Sequence, residues 1–493
     1  MFTIGKENEK VLINLQIREC VKMKIIVIGG GTSGILSALS LGKEGHEVLV
    51  LEKNDKIGGL CRSENIHGYT VDIGVHAITM LNNGPLIRLL NQYSQYLPNF
   101  KPYGEYYIRT NQLYKIPVSM HEWMTTAVIP HKDKLLVTSK IIDLMTVGFD
   151  KDTSVYDIVK DLNLSEPTSE FFDTFSYFLS GEGMDKTPLW RLFTGAGYIP
   201  EDDIIPFIYN DLRINPLRTS ISKKFDSGRL WNMVDDGLLK SIKNKSKKYI
   251  TKFMGEARFG SQGYPLGGVQ SICDCICNSM KNTTLKTNEE VVQIVEENDK
   301  YYVKTINDVY EADVIIYSAP AVTIPNIVKN VEEVNKYNEK LENIKFSKST
   351  TIWVGDKENY FPYLGSEVWV DYPCWATTTS NYDPWLAPKG KHLMGFSFVN
   401  SPEKDAIMAI ENKLNINLDK VDMLHVQKTV PEHASCAIDQ FFIYPKLKNN
   451  FYVVGTDSDP RSMGITRAAY SVEMMLSEFK NIHQPTNVNI QSE

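Results

Sequence analysis

The chain has 493 residues, with 53 Lys and Arg against 60 Asp and Glu, a formal net charge of −7. That balance excludes a strongly basic nucleic-acid binder, and 42% hydrophobic residues exclude disorder as the ruling state. No apolar run approaches the ~18 residues of a membrane span, and at ~150 residues per domain the length amounts to roughly three domains. The cysteines (Cys20, Cys61, Cys273, Cys275, Cys277, Cys374 and Cys436) are odd in number and sparse, and no secretory pattern precedes them. A reducing, cytoplasmic setting is therefore expected.

Residues 1–22 are mostly polar and are read as an N-terminal extension, with Met23 directly before the first strand. Lys24–Ile28 (KIIVI) is a continuous apolar run that suits a buried parallel strand. Glycines follow, then a helix from about Ser33 carrying Ile35, Leu36, Ala38 and Leu39, with Gly45 as its stop. Glu47–Leu51 (EVLVL) reads as a second strand, which completes a βαβ unit. Residues 85–250 are richer in helical patterns and aromatics. There Val155, Ile158, Val159 and Leu162 follow the cap residue Ser154 at helical spacing. The run Lys240, Lys243, Lys245, Lys247, Lys248 and Lys252 reads as a solvated helix face, with contact to a membrane surface or an anionic ligand as the functional alternative. From about Glu290 strands return: VVQIV (291–295), YYVKTI (301–306), DVIIYSA (313–319) and STTIWV (349–354). A last strand, FYVVG (451–455), precedes a helix with Ile465, Ala468, Ala469, Val472, Leu476 and Phe479 at core spacing; 481–493 is a polar, frayed tail.

Gly29, Gly31 and Gly34 form G-x-G-x-x-G between the first strand and its helix. The mechanism requires that context: Gly29 allows the tight turn, Gly31 lets backbone approach a pyrophosphate, and Gly34 lets helix and sheet pack closely. The helix N-terminus then offers unpaired N–H groups to phosphates. Glu52 ends the second strand, where a carboxylate can accept both ribose hydroxyls of an adenosine half and would repel a 2′-phosphate.

Gly58-Gly59-Leu60-Cys61-Arg62-Ser63 follows, and then Gly68-Tyr69-Thr70-Val71-Asp72-Ile73-Gly74-Val75-His76. Residues 24–76 resemble the FAD-binding start of the amine oxidase, protoporphyrinogen oxidase and phytoene desaturase superfamily, to which UDP-galactopyranose mutases are related. Three further patches are similar in the same order: the G-x-P-x-G-G-like turn Gly263-Tyr264-Pro265-Leu266-Gly267-Gly268, the strand 313–320, and Gly455-Thr456-Asp457 with Gly464-Ile465. The resemblance implies non-covalent FAD, with Gly59 and Arg62 at the pyrophosphate or flavin. It also implies adenine against the backbone of Val292, Asp457 at the ribityl or pyrophosphate region, and the helix from Gly464 and Ile465 at the flavin. It implies an α/β fold: a Rossmann-like, glutathione-reductase-like FAD-binding domain with an inserted α+β substrate domain. The FAD domain is then discontinuous (23–85, 250–320 and 440–480), and 86–249 and 321–439 form the substrate domain. The matches are dense only in the FAD half.

His76 is the candidate catalytic residue, for proton transfer or substrate orientation, against a structural, hydrogen-bonded role. Asp72 is read as a loop brace. Cys273, Cys275 and Cys277 do not converge on one side, and Cys273 and Cys277 join the stripe Val269, Ile272, Ile276 and Met280, so a core helix and no metal are expected. Cys61 is expected to be buried, and Cys436 lacks the glycine context of a flavin-linking cysteine. Trp353, Tyr360, Phe361, Trp375 and Trp385 are expected to be mostly core. Where amine oxidases of this group hold a lysine near the flavin, Thr351 aligns, with Lys345 and Lys348 nearby. The expected activity is oxidation of a small-molecule substrate by hydride transfer from a C–H bond to flavin N5. The alternatives are a redox-neutral mutase on a nucleotide sugar, for which Arg191, Arg213, Arg218 and Arg258 are available, and a flavin-binding protein without turnover. No oligomeric state is indicated.

Overall fold

The computed structural model describes residues 22–74, 77–117, 120–195, 200–210 and 261–483. The predicted βαβ unit forms as β1 (Lys24–Ile28), α1 (Thr32–Lys43) and β2 (Glu47–Leu51). Gly45 lies just past α1 with φ +100°, the left-handed conformation that ends a helix at little cost for glycine. A hairpin, β3 (Ser63–Ile66) and β4 (Tyr69–Asp72), precedes α2 (Pro85–Tyr93). After Gln270–Asn278 (α3) come β5 (Val314–Tyr317), β6 (Phe346–Asp356) and, last, α4 (Gly464–His483).

The first sheet runs Lys446–Lys448, Phe451–Val453, β5, β1, β2, Thr283–Lys286. All of its pairings are parallel except the one at the Lys446–Lys448 edge. Both faces are covered, which explains why KIIVI is apolar without alternation. Ile25 and Val27 face Leu36 and Leu39 of α1, Leu86 and Leu90 of α2, Ile272 and Ile276 of α3, and Val472 and Phe479 of α4. Ile26 and Ile28 face a second core with Ile294, Val303, Ile324, Val334 and Leu341. This packing carries the first unit past residue 85, through α2, and past residue 320, through Leu341 and Ile344. The apolar stripes of these segments find their complement on the parallel sheet.

The second sheet has seven strands in the order Met423–Ala434, β6, His392–Val399, Cys374–Thr378, Gly365–Trp369, Glu105–Arg109, Leu113–Lys115. Helices between residues 120 and 210 pack Val137, Phe171, Phe172, Trp190 and Phe193 into a third core beside it. Ser154 caps its helix as predicted, in a capping box with Asp157. Of the aromatic set, Trp353 and Phe361 are buried, and Tyr360 and Trp375 pack against cores. Trp385 is the exception at 90% exposure, carried outward by the short turn Pro384–Leu386.

Candidate cofactor site

The carboxyl ends of β1 and β5, where open α/β sheets bind ligands, carry the glycine corner. Gly29 has φ +98°, and a Cβ there would stand 3.0 Å from Ala319 N. A Cβ on Gly34 would fall 2.1 Å from Gly29 O, so only glycine lets α1 rest on the strand. Gly31 differs: a Cβ there would meet nothing within 4 Å, so it faces open space. Gly31 is also the N-cap of α1, whose start has no side-chain cap and no acidic residue in its first turn. The helix therefore presents partial positive charge to that space. Ser33 and Ser318 hydroxyls meet at 2.8 Å beside it.

Glu52 is 5% exposed and shapes the next wall. Its Oε2 accepts the Gly30 N–H at 2.7 Å, and its Oε1 accepts the Asn54 N–H at 2.9 Å and the Asn54 amide at 2.6 Å. The second glycine pair packs directly on the first. Gly58 N donates to Gly30 O at 2.8 Å, and a Cβ on Gly59, at φ +58°, would stand 3.1 Å from Gly31 Cα. Arg62 follows with its Nε buried and without a hydrogen-bond partner among the described residues. A buried, unpaired guanidinium N–H costs free energy unless an acceptor arrives. That orphan donor, the open face at Gly31 and the uncapped helix together fit an anionic dinucleotide. Val292 is 43% exposed at a register slip between Val291 and Gln293. Glu289 N donates to Glu52 O at 2.9 Å, which ties this segment to the acid.

The C-terminal patch reaches the same corner. A Cβ on Gly455 would lie 4.0 Å from Ser33 Oγ. Asp457 is buried and accepts the Ala321 N–H through Oδ2 at 2.6 Å; burial pushes its carboxyl up to about 6. Gly464 opens α4 with φ +51°, and Ile465 anchors that helix in the first core. Asp72 is a brace: Oδ1 accepts the Ser63 hydroxyl at 2.6 Å and Val269 N–H at 3.1 Å, and Oδ2 accepts the Tyr264 hydroxyl at 2.6 Å. Its carbonyl accepts Trp353 Nε1–H at 3.1 Å, which joins the hairpin to the second sheet.

Cys273 is buried in the α3 stripe and donates to Cys61 O at 3.2 Å; the neighbouring Cys61 side chain and burial push its thiol well above the ordinary range. Among the described residues no group of three or more His, Cys, Asp or Glu could hold a metal ion. Cys436 is buried, with Arg467 Nη2 at 2.6 Å from its sulfur. Lys345 is ion-paired with Asp439, Lys348 is exposed, and Thr351 is buried in β6. Arg191 corrects an expectation. It is 2% exposed and donates to Leu179 O at 2.9 Å and to Glu201 at 3.4 Å, so it is not available to a sugar diphosphate. His76, Arg213, Arg218, Arg258 and the lysines from Lys240 to Lys252 lie outside the described residues. Sequence reasoning missed Asn54, Ser33 and Ser318, whose only signal is adjacency to the motif. It also missed Glu201, Asp202 and Arg461, which carry no motif at all.

A doubly covered parallel sheet with a glycine corner, a following acid and a second glycine-arginine turn defines a dinucleotide-binding flavoprotein fold. Residues 27–93 match the NAD(P)-binding Rossmann-like domain, and 224–420 match the flavin-containing amine oxidoreductase family. An uncharacterized protein in the nifH2 3′ region of Methanothermococcus thermolithotrophicus is 78% identical over 103 residues, all of that protein and 21% of this chain. All-trans-retinol 13,14-reductase of Danio rerio is 38% identical over 65 residues, 13% of this chain and only 11% of that enzyme's length. A 1-hydroxycarotenoid 3,4-desaturase of Flavobacterium sp. (strain P99-3) is 21% identical over 449 residues, 81% of this chain and 83% of the desaturase. An oxidoreductase from Methanosarcina mazei superposes with a TM-score of 0.68 at 19% identity, over 92% of this chain and 100% of that one. In sequence the chain resembles flavin-containing amine oxidoreductases and carotenoid desaturases. These likenesses indicate a flavin-dependent oxidoreductase with FAD as its cofactor. Among the described residues no helix is long and apolar enough to cross a membrane.

Proposed function

We propose that the chain oxidises a C–H bond of a small-molecule substrate, in the manner of a desaturase, with FAD seated on the corner formed by Gly29, Gly31, Gly34, Glu52, Gly59, Arg62, Gly455 and Asp457. The observation that carries the seat is the buried Nε of Arg62, without a partner among the described residues, three positions after Gly59, which packs on the open Gly31. When bound, FAD would supply a two-electron acceptor for the hydride of the substrate C–H bond. The chain's own residues do the rest. The α1 N-terminus and Arg62 neutralise phosphate charge. Glu52 would accept the ribose hydroxyls, Val292 would offer backbone to the adenine, and Gly464 and Ile465, at the start of α4, would lie toward the flavin. His76 orients the substrate or moves its proton. The first unit, extended by α2 and the segment to Ile344, is the cofactor domain, and the second sheet with its helices is the substrate domain. Desaturation is favoured over amine oxidation because a relative aligned over 81% of the chain is a desaturase. The position of Lys345 and Lys348 on the exposed side of the second unit agrees with this.

Anaerobic mixing of the FAD-loaded protein with polyenes and with primary amines tests this reading. Bleaching of the flavin absorbance by a polyene, with a new double bond in the product, is expected; bleaching by amines alone would replace desaturation with amine oxidation. Arg62→Met is expected to weaken FAD binding roughly 10- to 100-fold, the worth of a charge-assisted hydrogen bond. The melting temperature of its apoprotein should not fall, because the wild-type guanidinium Nε has no partner among the described residues. An unchanged FAD titration would remove Arg62 from the site.

A further inference from the structure

Residues 455–463, between Phe451–Val453 and α4, are fastened from two sides. Toward the glycine corner, Gly455 lies against Ser33, and Asp457 holds the Ala321 N–H. Toward the second unit, three bonds reach residues 201–210. Arg461 Nη1 donates to Asp202 Oδ1 at 2.6 Å, Ser462 N donates to Glu201 Oε2 at 3.1 Å, and the Tyr209 hydroxyl donates to Ser458 O at 3.0 Å. Arg461 is the junction. Its Nε and Nη2 donate to Asp459 Oδ1 and Oδ2 at 3.0 and 2.8 Å, and its guanidinium carbon stands 3.8 Å from the centre of the Tyr470 ring. Glu201 is in turn held by Arg191, and Arg467 donates to Ser462 O at 3.0 Å.

Neither core needs these ions, and burying Arg461 with Asp459 is a poor route to stability, because desolvation cancels much of the attraction. What a fork of fixed geometry does supply is position. One arginine here joins two carboxylates, one on the loop that borders the cofactor corner and one on the other unit. A rigid loop flanked in this way cannot shift at one end without the other, because its middle is over-determined.

We propose that Arg461 is a positioning residue of the cofactor site. By joining Asp459 to Asp202, it makes the seating of residues 201–210 set the place of residues 455–457 beside the α1 N-terminus, so that FAD retention depends on that segment. The inference rests on the cofactor seat proposed above.

The test measures FAD release from the holoenzyme after dilution, by the rise of free-flavin fluorescence. Asp202→Asn is the main variant, because the Asp202 side chain is 60% exposed and its loss leaves the Arg461–Asp459 pair intact. Release is expected to quicken on the order of fivefold, the upper worth of a part-exposed ion pair. The melting temperature of the apoprotein should be unchanged, and Asp202→Glu should restore the wild-type rate. Arg461→Ala should release FAD faster than Asp202→Asn, and the double variant no faster than Arg461→Ala alone. Release unchanged in Asp202→Asn overturns the proposal. So do multiplied effects in the double variant, or a quickening matched by a fall in apoprotein melting. Gly31→Ala separates the two readings. FAD binding lost there but unmoved in Asp202→Asn refutes the positioning role and keeps the seat, whereas binding unmoved in Gly31→Ala refutes the seat itself.

Discussion

Gly31→Ala should fold normally and fail to hold FAD, whereas Gly34→Ala, three residues on, should fail to fold well. Gly31 has φ −69° and ψ 175°, a conformation alanine adopts freely, and its added methyl would meet nothing within 4 Å. The methyl instead occupies the space in front of the uncapped helix, where a pyrophosphate has to touch backbone. A clash of roughly 3 kcal/mol corresponds to FAD affinity lower on the order of 100-fold. At Gly34 the methyl would lie 2.1 Å from a backbone carbonyl oxygen, which no rotamer change can relieve. Strand β1 and helix α1 would have to part, at a cost of roughly 3 kcal/mol or more in folding stability. Apoprotein melting curves and FAD titrations of the two variants check this. Equal loss of stability in both would mean that Gly31 is a packing residue and the open face is not a seat.

Asp457→Asn should stabilise the apoprotein at neutral pH and weaken its hold on FAD. The Asp457 carboxyl sits at about 6 in the folded chain, above its ordinary 3.8, because burial disfavours the charged form. Between those two values the folded protein binds more protons than the unfolded one. Stability from this group therefore falls as pH rises through that window and stays low above it. The charged carboxylate then costs on the order of 3 kcal/mol at neutral pH. Asparagine carries no charge and can still accept the Ala321 N–H through Oδ1, so its advantage should be fullest above pH 6 and vanish below pH 4. Urea melts of both proteins at pH 4 and pH 7.5 measure this. An advantage that grows toward low pH would reverse the assignment. A buried carboxylate retained at such a cost fits a group kept to accept hydrogen bonds from a ligand, and its replacement should weaken FAD binding by roughly tenfold.

The nucleotide half was legible because its demands are local. A tight turn, a close backbone approach and a helix start translate directly into glycines at fixed spacing, and the strand before them reads as apolar because both faces are covered. Asp72 as a brace and the cysteine stripe of α3 were readable for similar reasons, one from its place in a glycine turn and the other from helical period. The second unit was legible only in pieces, such as the Ser154 cap and the strand around 349–354. Arg191 looks in sequence like a free arginine and in the fold is sealed against Glu201; Trp385 looks like a core aromatic and stands almost wholly in solvent.

By itself the sequence determined the cofactor class and the βαβ unit that receives it, since backbone conformation there is dictated residue by residue. Only the tertiary structure decided that α2 and the segment to Ile344 pack on the first sheet. It alone left Arg62 with an N–H unpaired among the described residues, and it alone joined Arg461 to Asp202, a partner 259 positions away. The reason is physical. Propensity and period act within a turn or a strand, whereas burial and ion pairing depend on which distant surfaces meet, and no spacing along the chain records that.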